Sequence, residues 1–336
     1  MRRGGETEAR AGTRPAGYIR VAVKQLTLGL IVSTLAWPGH PGIRAWSSQP
    51  AASMEQRVSA VVREFRGVMG VAAMDLRSRE WIVVNADTRF PTASTIKVAI
   101  MLEAHHQAAD GRLPMDASFT LKNTDKVGGS GVLNSLHDGT ALTTADLIHL
   151  MIVLSDNTAT NMLIERVGTA RVNERLESYG IPEVKLFRPT FRDGHPDVLP
   201  DLEQEYGLGM ATPRDMVRLL TLIWDGKAVN RQASDAMLAT LRRQQDRATI
   251  PRLLPPVSGL SVGNKTGTDE EKRSGPDGVK RHVRADVAIV SGPTFAYAVA
   301  IYARQIEDTR WSVENEAVVA GARISRLLFE HFSGNR

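Results

Sequence analysis

Phe90-Pro-Thr-Ala-Ser-Thr-Ile-Lys-Val-Ala-Ile-Met-Leu-Glu-Ala104 is the stretch that organises the reading of this 336-residue chain. Beyond Pro91 and Thr92 the apolar residues Ile96, Val98, Ala99, Ile100 and Leu102 recur with helical spacing, which predicts a helix ending at Gly111. Ser94 and Lys97 are three residues apart, so a helix puts them on one face, about a turn from each other and within reach. Ser94 falls in the first turn. Backbone N–H groups there lack intrahelical partners, and the helix dipole favours developing negative charge. A hydroxyl beside a lysine and above free donors is the equipment of a serine nucleophile. Of the nine lysines only Lys97 has a serine three positions before it. The pattern Ser-x-x-Lys nevertheless arises by chance about once in a chain of this length, so it carries weight only in company.

Composition narrows the company. A hydrophobic content of 42% with 24% charged residues describes an ordinary globular protein. The absence of cysteine excludes disulfides, thiolate metal sites, a cysteine nucleophile and a lipidated cysteine. The eight histidines form no His-x-x-x-His pair, and the adjacent His105 and His106 would point apart on a helix, so no metal and no cofactor is expected. The net charge of +5 invites a nucleic-acid reading, but its location argues against one. Residues 1–45 hold seven of the 42 basic residues and two of the 37 acidic ones, which leaves 35 of each sign in the remainder. Aromatic residues make up only 5%, too few for a base-stacking platform.

The basic residues 2–24 precede the uncharged run Leu26–Trp37, which is 12 residues long. A bilayer span needs roughly 17–25. A basic start with a short apolar core predicts an export signal over about residues 1–45, hence a periplasmic or extracellular protein with no membrane span once mature. Ala45 is the best cleavage position, and an uncleaved N-terminal anchor is the alternative.

The body reads as helix at 55–66, strands Val68–Leu76 and Trp81–Asn85 around a tight turn, and the Ser94 helix. Helices follow at 143–154, 158–167, 170–178, 213–225 and about 231–243. Strands come next at Gly259–Thr266, Arg284–Ser291 and Phe295–Tyr302, before a last helix at about 313–332. Strands at both ends with helices between them predict an α+β fold. An antiparallel sheet is built from both termini and flanked by helices, with 55–92 and 255–333 as one subdomain and 93–254 as a mainly helical one.

Two further tripeptides share the order of the chain. Ser155-Asp156-Asn157 follows the apolar helix 143–154, with Asn161 four residues on, and Lys265-Thr266-Gly267 ends an alternating strand. Each alone is commonplace, a cap or a turn. Together with Ser94-x-x-Lys97 they form a set that resembles the class A serine β-lactamases and the penicillin-binding D,D-peptidases, with class A spacing in particular. Ala211-Thr-Pro-Arg-Asp-Met216 is similar to the family's Thr-Pro segment, and the resemblance covers most of residues 55–332.

The resemblance implies roles. Ser94 is the acylated nucleophile and Lys97 accepts or relays its proton. Ser155 passes a proton to the leaving nitrogen, and Asn157 holds the substrate's amide side chain. Lys265 and Thr266, within Lys265-Thr266-Gly267, bind the substrate carboxylate, and the backbone N–H groups of Ser94 and Thr268 form the oxyanion hole. Arg284 is a possible second carboxylate contact. The substrate would be a β-lactam or a peptidoglycan-like molecule, and the protein a monomer. One part of the pattern is missing. Class A enzymes carry a Glu-x-x-Leu-Asn segment in the omega loop, whose glutamate activates water against the acyl-enzyme. Phe187–Tyr206 lacks it and is longer than usual. Counting from Ser155 and from Pro213 puts the base near 191–196, where Asp193 is the only carboxylate, with Glu203 and Glu205 later in the loop. Without a base the protein would acylate and stall, as D,D-peptidases do. A slow-deacylating hydrolase and a non-catalytic binding module on the same fold are the rivals.

Overall fold

A computed structural model describes residues 52–334, so the expected leader lies outside the described residues. In chain order the elements are α1 (Met54–Glu64), β1 (Val68–Asp75), β2 (Trp81–Val84), β3 (Phe90–Pro91), a 3₁₀ turn Ala93–Ile96, and α2 (Lys97–Ala109). Then come β4 (Ser118–Thr120), β5 (Ala141–Thr143), α3 (Thr144–Val153), α4 (Asn157–Val167), α5 (Thr169–Ser178), β6 (Lys185–Leu186), α6 (Pro200–Tyr206) and β7 (Gly209–Ala211). The chain closes with α7 (Pro213–Trp224), α8 (Arg231–Leu241), β8 (Ser261–Ser274), β9 (Lys280–Ser291), β10 (Ala296–Ile306) and α9 (Glu316–Ser333).

The main sheet has the order β2-β1-β10-β9-β8, and every pairing in it is antiparallel. The expected joining of the two ends of the body occurs where β1 lies beside β10, from Val68 opposite Arg304 to Asp75 opposite Tyr297. Side chains alternate across a strand, and here both faces are apolar. Ala72 and Met74 of β1, with Val287 and Ile289 of β9, enter a core shared with α2, α3, α4 and α7. Val71 and Ala73, with Ala288 and Val290, enter a second core closed by α1 and α9. The described residues form one compact unit around these two cores.

Helix α2 is buried nearly all round, Lys97 and Glu103 included, and runs through the first core. Each of its fully buried aliphatic side chains, such as Ile100, is worth about 1.5–3 kcal/mol. That packing fixes the start of the helix in space. Ser94 is therefore not on a regular α-helix but in the 3₁₀ turn that feeds it, entered through Ala93 at φ +44°. Such a left-handed, non-glycine residue costs about 1–3 kcal/mol and persists only where the surroundings hold it.

Candidate active site

Three elements deliver the polar residues. The 3₁₀ turn carries Ser94, half-buried, and the first residue of α2 is Lys97, with no exposed surface at all. The turn between α3 and α4 carries Ser155 at φ +57°. Asp156 then caps α4, accepting from Ala159 N at 2.9 Å, while its other oxygen accepts from Val132 N at 2.7 Å and Leu133 N at 2.9 Å. The strained Ser155 is thus held on both sides. Gly131, at φ +114°, is needed beside it, because a Cβ there would lie 2.2 Å from the Asp156 carboxylate. Strand β8 carries Lys265, also without exposed surface, and Gly267.

The three motifs converge on one hydroxyl. Lys97 Nζ donates to Ser155 Oγ at 3.1 Å, to Ser155 O at 2.8 Å and to Asn157 Oδ1 at 2.8 Å. Lys265 Nζ donates to the same Ser155 Oγ at 3.0 Å and to Thr266 O at 2.8 Å. The two ammonium groups are therefore no more than about 6 Å apart, and neither lysine has exposed surface. Burial, and next the charge of Lys265, push the Lys97 amine well below the ordinary lysine range. Burial brings Lys265 down to about 8, opposed by the charges of Asp246 and Asp286. Ser94 Oγ enters none of these hydrogen bonds; it lines the same cleft, with Asn157 and Thr268. Gly267 explains how β8 comes so close behind it. A Cβ at 267 would sit 2.7 Å from Thr92 O and 3.2 Å from Ser94 N.

A family model described as "Beta-lactamase enzyme family" matches residues 53–332. The chain belongs to the β-lactamase enzyme family. Membership makes it a serine hydrolase acting on β-lactams. Among curated relatives, β-lactamase CARB-3 of Pseudomonas aeruginosa is 25% identical over 230 residues, 68% of this chain and 76% of the relative. β-Lactamase Toho-2 of Escherichia coli is 28% identical over 236 residues, 69% and 76% of the two chains. Among solved structures, a β-lactamase from Sphaerobacter thermophilus DSM 20745 superposes with TM-score 0.70 at 31% identity, covering 83% of this chain and 98% of that one. PBP-A shares the fold, with TM-score 0.70 at 24% identity over 85% and 98% of the chains.

The loop after β6 is where the sequence departs from the pattern that the resemblance implies. Thr190 meets α4. Its N–H and Oγ donate to Asn161 Oδ1 at 2.8 and 2.9 Å, and Asn161 Nδ2 donates to Thr190 O at 3.0 Å. This amide clasp fixes a threonine, not a carboxylate, on the wall of the cleft. Asp193 also lines the cleft, but its carboxylate is bound by Arg188 and by Lys272 Nζ at 2.7 Å. Burial raises its carboxyl; the Lys272 hydrogen bond and the charges of Arg188 and Lys272 outweigh that and leave it below the ordinary range. Glu203 is buried against Arg188 Nε at 2.8 Å, and Glu205 faces Arg304 at 3.5 Å. Each of the three expected loop acids is engaged with a cation, and none is hydrogen-bonded to Ser94, Lys97 or Ser155. Arg284 turns to the protein interior. Its guanidinium donates to the carbonyls of Val283 and Arg310, both at 3.1 Å, and lies 5.0 Å from the Trp311 ring, while sharing a small cavity with Thr266 and Thr268.

The sequence reading passed over the clasp, the Arg188–Glu203 pair and Asp269. Asn161 is visible four residues after Asn157, but its partner lies 29 residues away in a loop without periodicity. Asp269 follows Thr268 directly, so adjacency to the third motif was the only available signal.

Proposed function

We propose that the protein opens the cyclic amide of β-lactams through an acyl-enzyme on Ser94. The observation that supports this best is the Ser155 hydroxyl, held by two fully buried lysines from segments 58 and 110 residues away. In this reading neutral Lys97 takes the Ser94 proton as Oγ bonds to the lactam carbonyl carbon. The N–H groups of Ser94 and Thr268 hold the oxyanion, where losing one donor typically costs about 2.7–4 kcal/mol. Ser155, between the two lysines, hands its proton to the departing nitrogen and is reprotonated through Lys97. Lys265 and Thr266 hold the substrate carboxylate, and Asn157 its side-chain amide. We further propose export to the periplasm or beyond, and action as a monomer.

Ser94→Ala should abolish covalent labelling by a fluorescent penicillin while leaving the folded state intact by circular dichroism. Labelling that survives would remove Ser94 from its role. The engaged loop acids favour a second reading, in which deacylation is slow and the protein behaves as a penicillin-binding D,D-peptidase would. The lifetime of the benzylpenicillin adduct, followed by mass spectrometry, separates the two.

A further inference from the structure

Four acids line the part of the Ser94 cleft that runs towards the loop: Asp193, Asp269, Glu270 and Glu271. A fifth, Asp246, lines the other part beside Ser155 and Gln244, where its carboxylate accepts from Ala248 N at 3.1 Å. Asp193 is bound by Arg188 and Lys272, Glu270 by Lys280 at 3.3 Å, and Glu271 by Arg304 at 3.3 Å. Among the described residues Asp269 alone of the four has no cation partner; its one hydrogen bond is from Glu270 N at 2.9 Å. Its place on β8 follows from the two-residue period of a strand. Lys265, Gly267 and Asp269 share a face. Lys265 reaches Ser155, and the Cβ position of Gly267 is 3.2 Å from Ser94 N. Asp269 emerges from that same face, roughly 7 Å further along the strand. The pairing of β8 with β9 stays regular through this point, with Thr268 opposite Arg284 and Asp269 opposite Val283. The side chain is open to the cleft, and the cleft continues past it to Thr190 and Asp193 on the loop.

We infer that Asp269 is the general base of deacylation, taking over the task from the loop, whose one carboxylate lining this part of the cleft, Asp193, is held by two cations. This rests on the Ser94 acyl-enzyme reading. In the step, a water oxygen bonds to the acyl carbon as one of its protons moves to the Asp269 carboxylate. Collapse of the tetrahedral adduct breaks the bond to Ser94 Oγ. That oxygen takes the proton back from the Asp269 carboxyl, and the ring-opened acid leaves. A bound cation lowers a carboxylate's affinity for a proton, so the unpaired acid is the better base. Partial desolvation in the cleft, opposed by the hydrogen bond from Glu270 N and aided by the charge of Asp193, holds the Asp269 carboxyl above the ordinary range, in the direction a base requires.

The test compares wild type, Asp269→Asn and Asp269→Ala with benzylpenicillin, reading acylation rate by rapid quench and adduct lifetime by mass spectrometry. Both variants should acylate at the wild-type rate, which also shows that they fold, and their adducts should persist at least about 100-fold longer. Asp269→Glu should restore part of the turnover. An adduct lifetime unchanged in the variants overturns the assignment. So does a wild-type adduct that is itself long-lived, since nothing then acts as base. Failure of the wild type to form an adduct at all would instead bring down the Ser94 reading on which the assignment stands.

Discussion

Lys97 shows how one residue's ionisation is set by its surroundings. A lysine in water keeps its proton past pH 10. Here burial is the first cause of a lowered pKa and the charge of Lys265 the second. Removing the second cation should therefore move Lys97 back towards its ordinary range. Lys265→Met is expected to shift the acid limb of the acylation rate to higher pH, in addition to weakening carboxylate binding; pre-steady-state acylation measured across pH checks it. A limb that does not move would mean that burial alone poises Lys97. The order of the motifs made this convergence legible, because Ser94, Lys97, Ser155 and Lys265 stand in patterns. Thr190 and Asp269 stand in none: the first is chosen by a hydrogen bond to Asn161, the second by its lack of a cation. Both are facts of three-dimensional neighbourhood.

Among the elements, the long secondary structures were readable and the charged extensions were not. Helix α7 was expected at 213–225 and spans Pro213–Trp224, where Thr212 caps Asp215 N at 3.2 Å. Strand β8 was expected to stop at Thr266 and runs to Ser274, because its outer half pairs with β9 through charged residues such as Glu270 and Lys280, which carry no apolar alternation. The final helix starts at Glu316, three residues late, where Asn315 supplies the cap. Helix α6 went unread at seven residues, despite Pro200 at its start and Asp201 and Glu203 in its first turn. That helix matters to the loop. Buried Arg188 joins Glu203, Asp193 and the carbonyl of Pro189, and Lys272 of β8 reaches both acids. Arg188→Met leaves the Glu203 carboxylate buried with Lys272 at 3.4 Å as its one cation and a hydrogen bond from Gly194 N at 3.4 Å. The expected cost is about 3 kcal/mol, the lower end for breaking a buried pair, read by urea unfolding. A loss below about 1 kcal/mol would mean that the strap does not hold the loop.

At the scale of the whole molecule, stability should carry the mark of one buried acid. Asp286 of β9 accepts from Asn264 Nδ2 at 3.0 Å and from Ile250 N at 2.9 Å, and burial still raises its carboxyl from 3.8 to about 7. Between those values the folded chain keeps a proton that the unfolded chain has released. Folding stability contributed by this group therefore falls as pH rises through that window. Asp286→Asn should flatten the corresponding decline of Tm with pH, by scanning calorimetry; a slope equal to wild type would place the titration elsewhere. The architecture itself was legible because strands at both ends of the body leave few other ways to close an antiparallel sheet. The close fit of that sheet to the turn carrying Ser94 was not, since it depends on an atom that is missing. At Gly267 peptide lies against peptide, with no side chain between them to shorten or enlarge. The back wall therefore offers no side chain through which substitution could reshape the cleft. Room for variation lies instead at the entrance, where Phe191 and Trp311 stand more than half exposed.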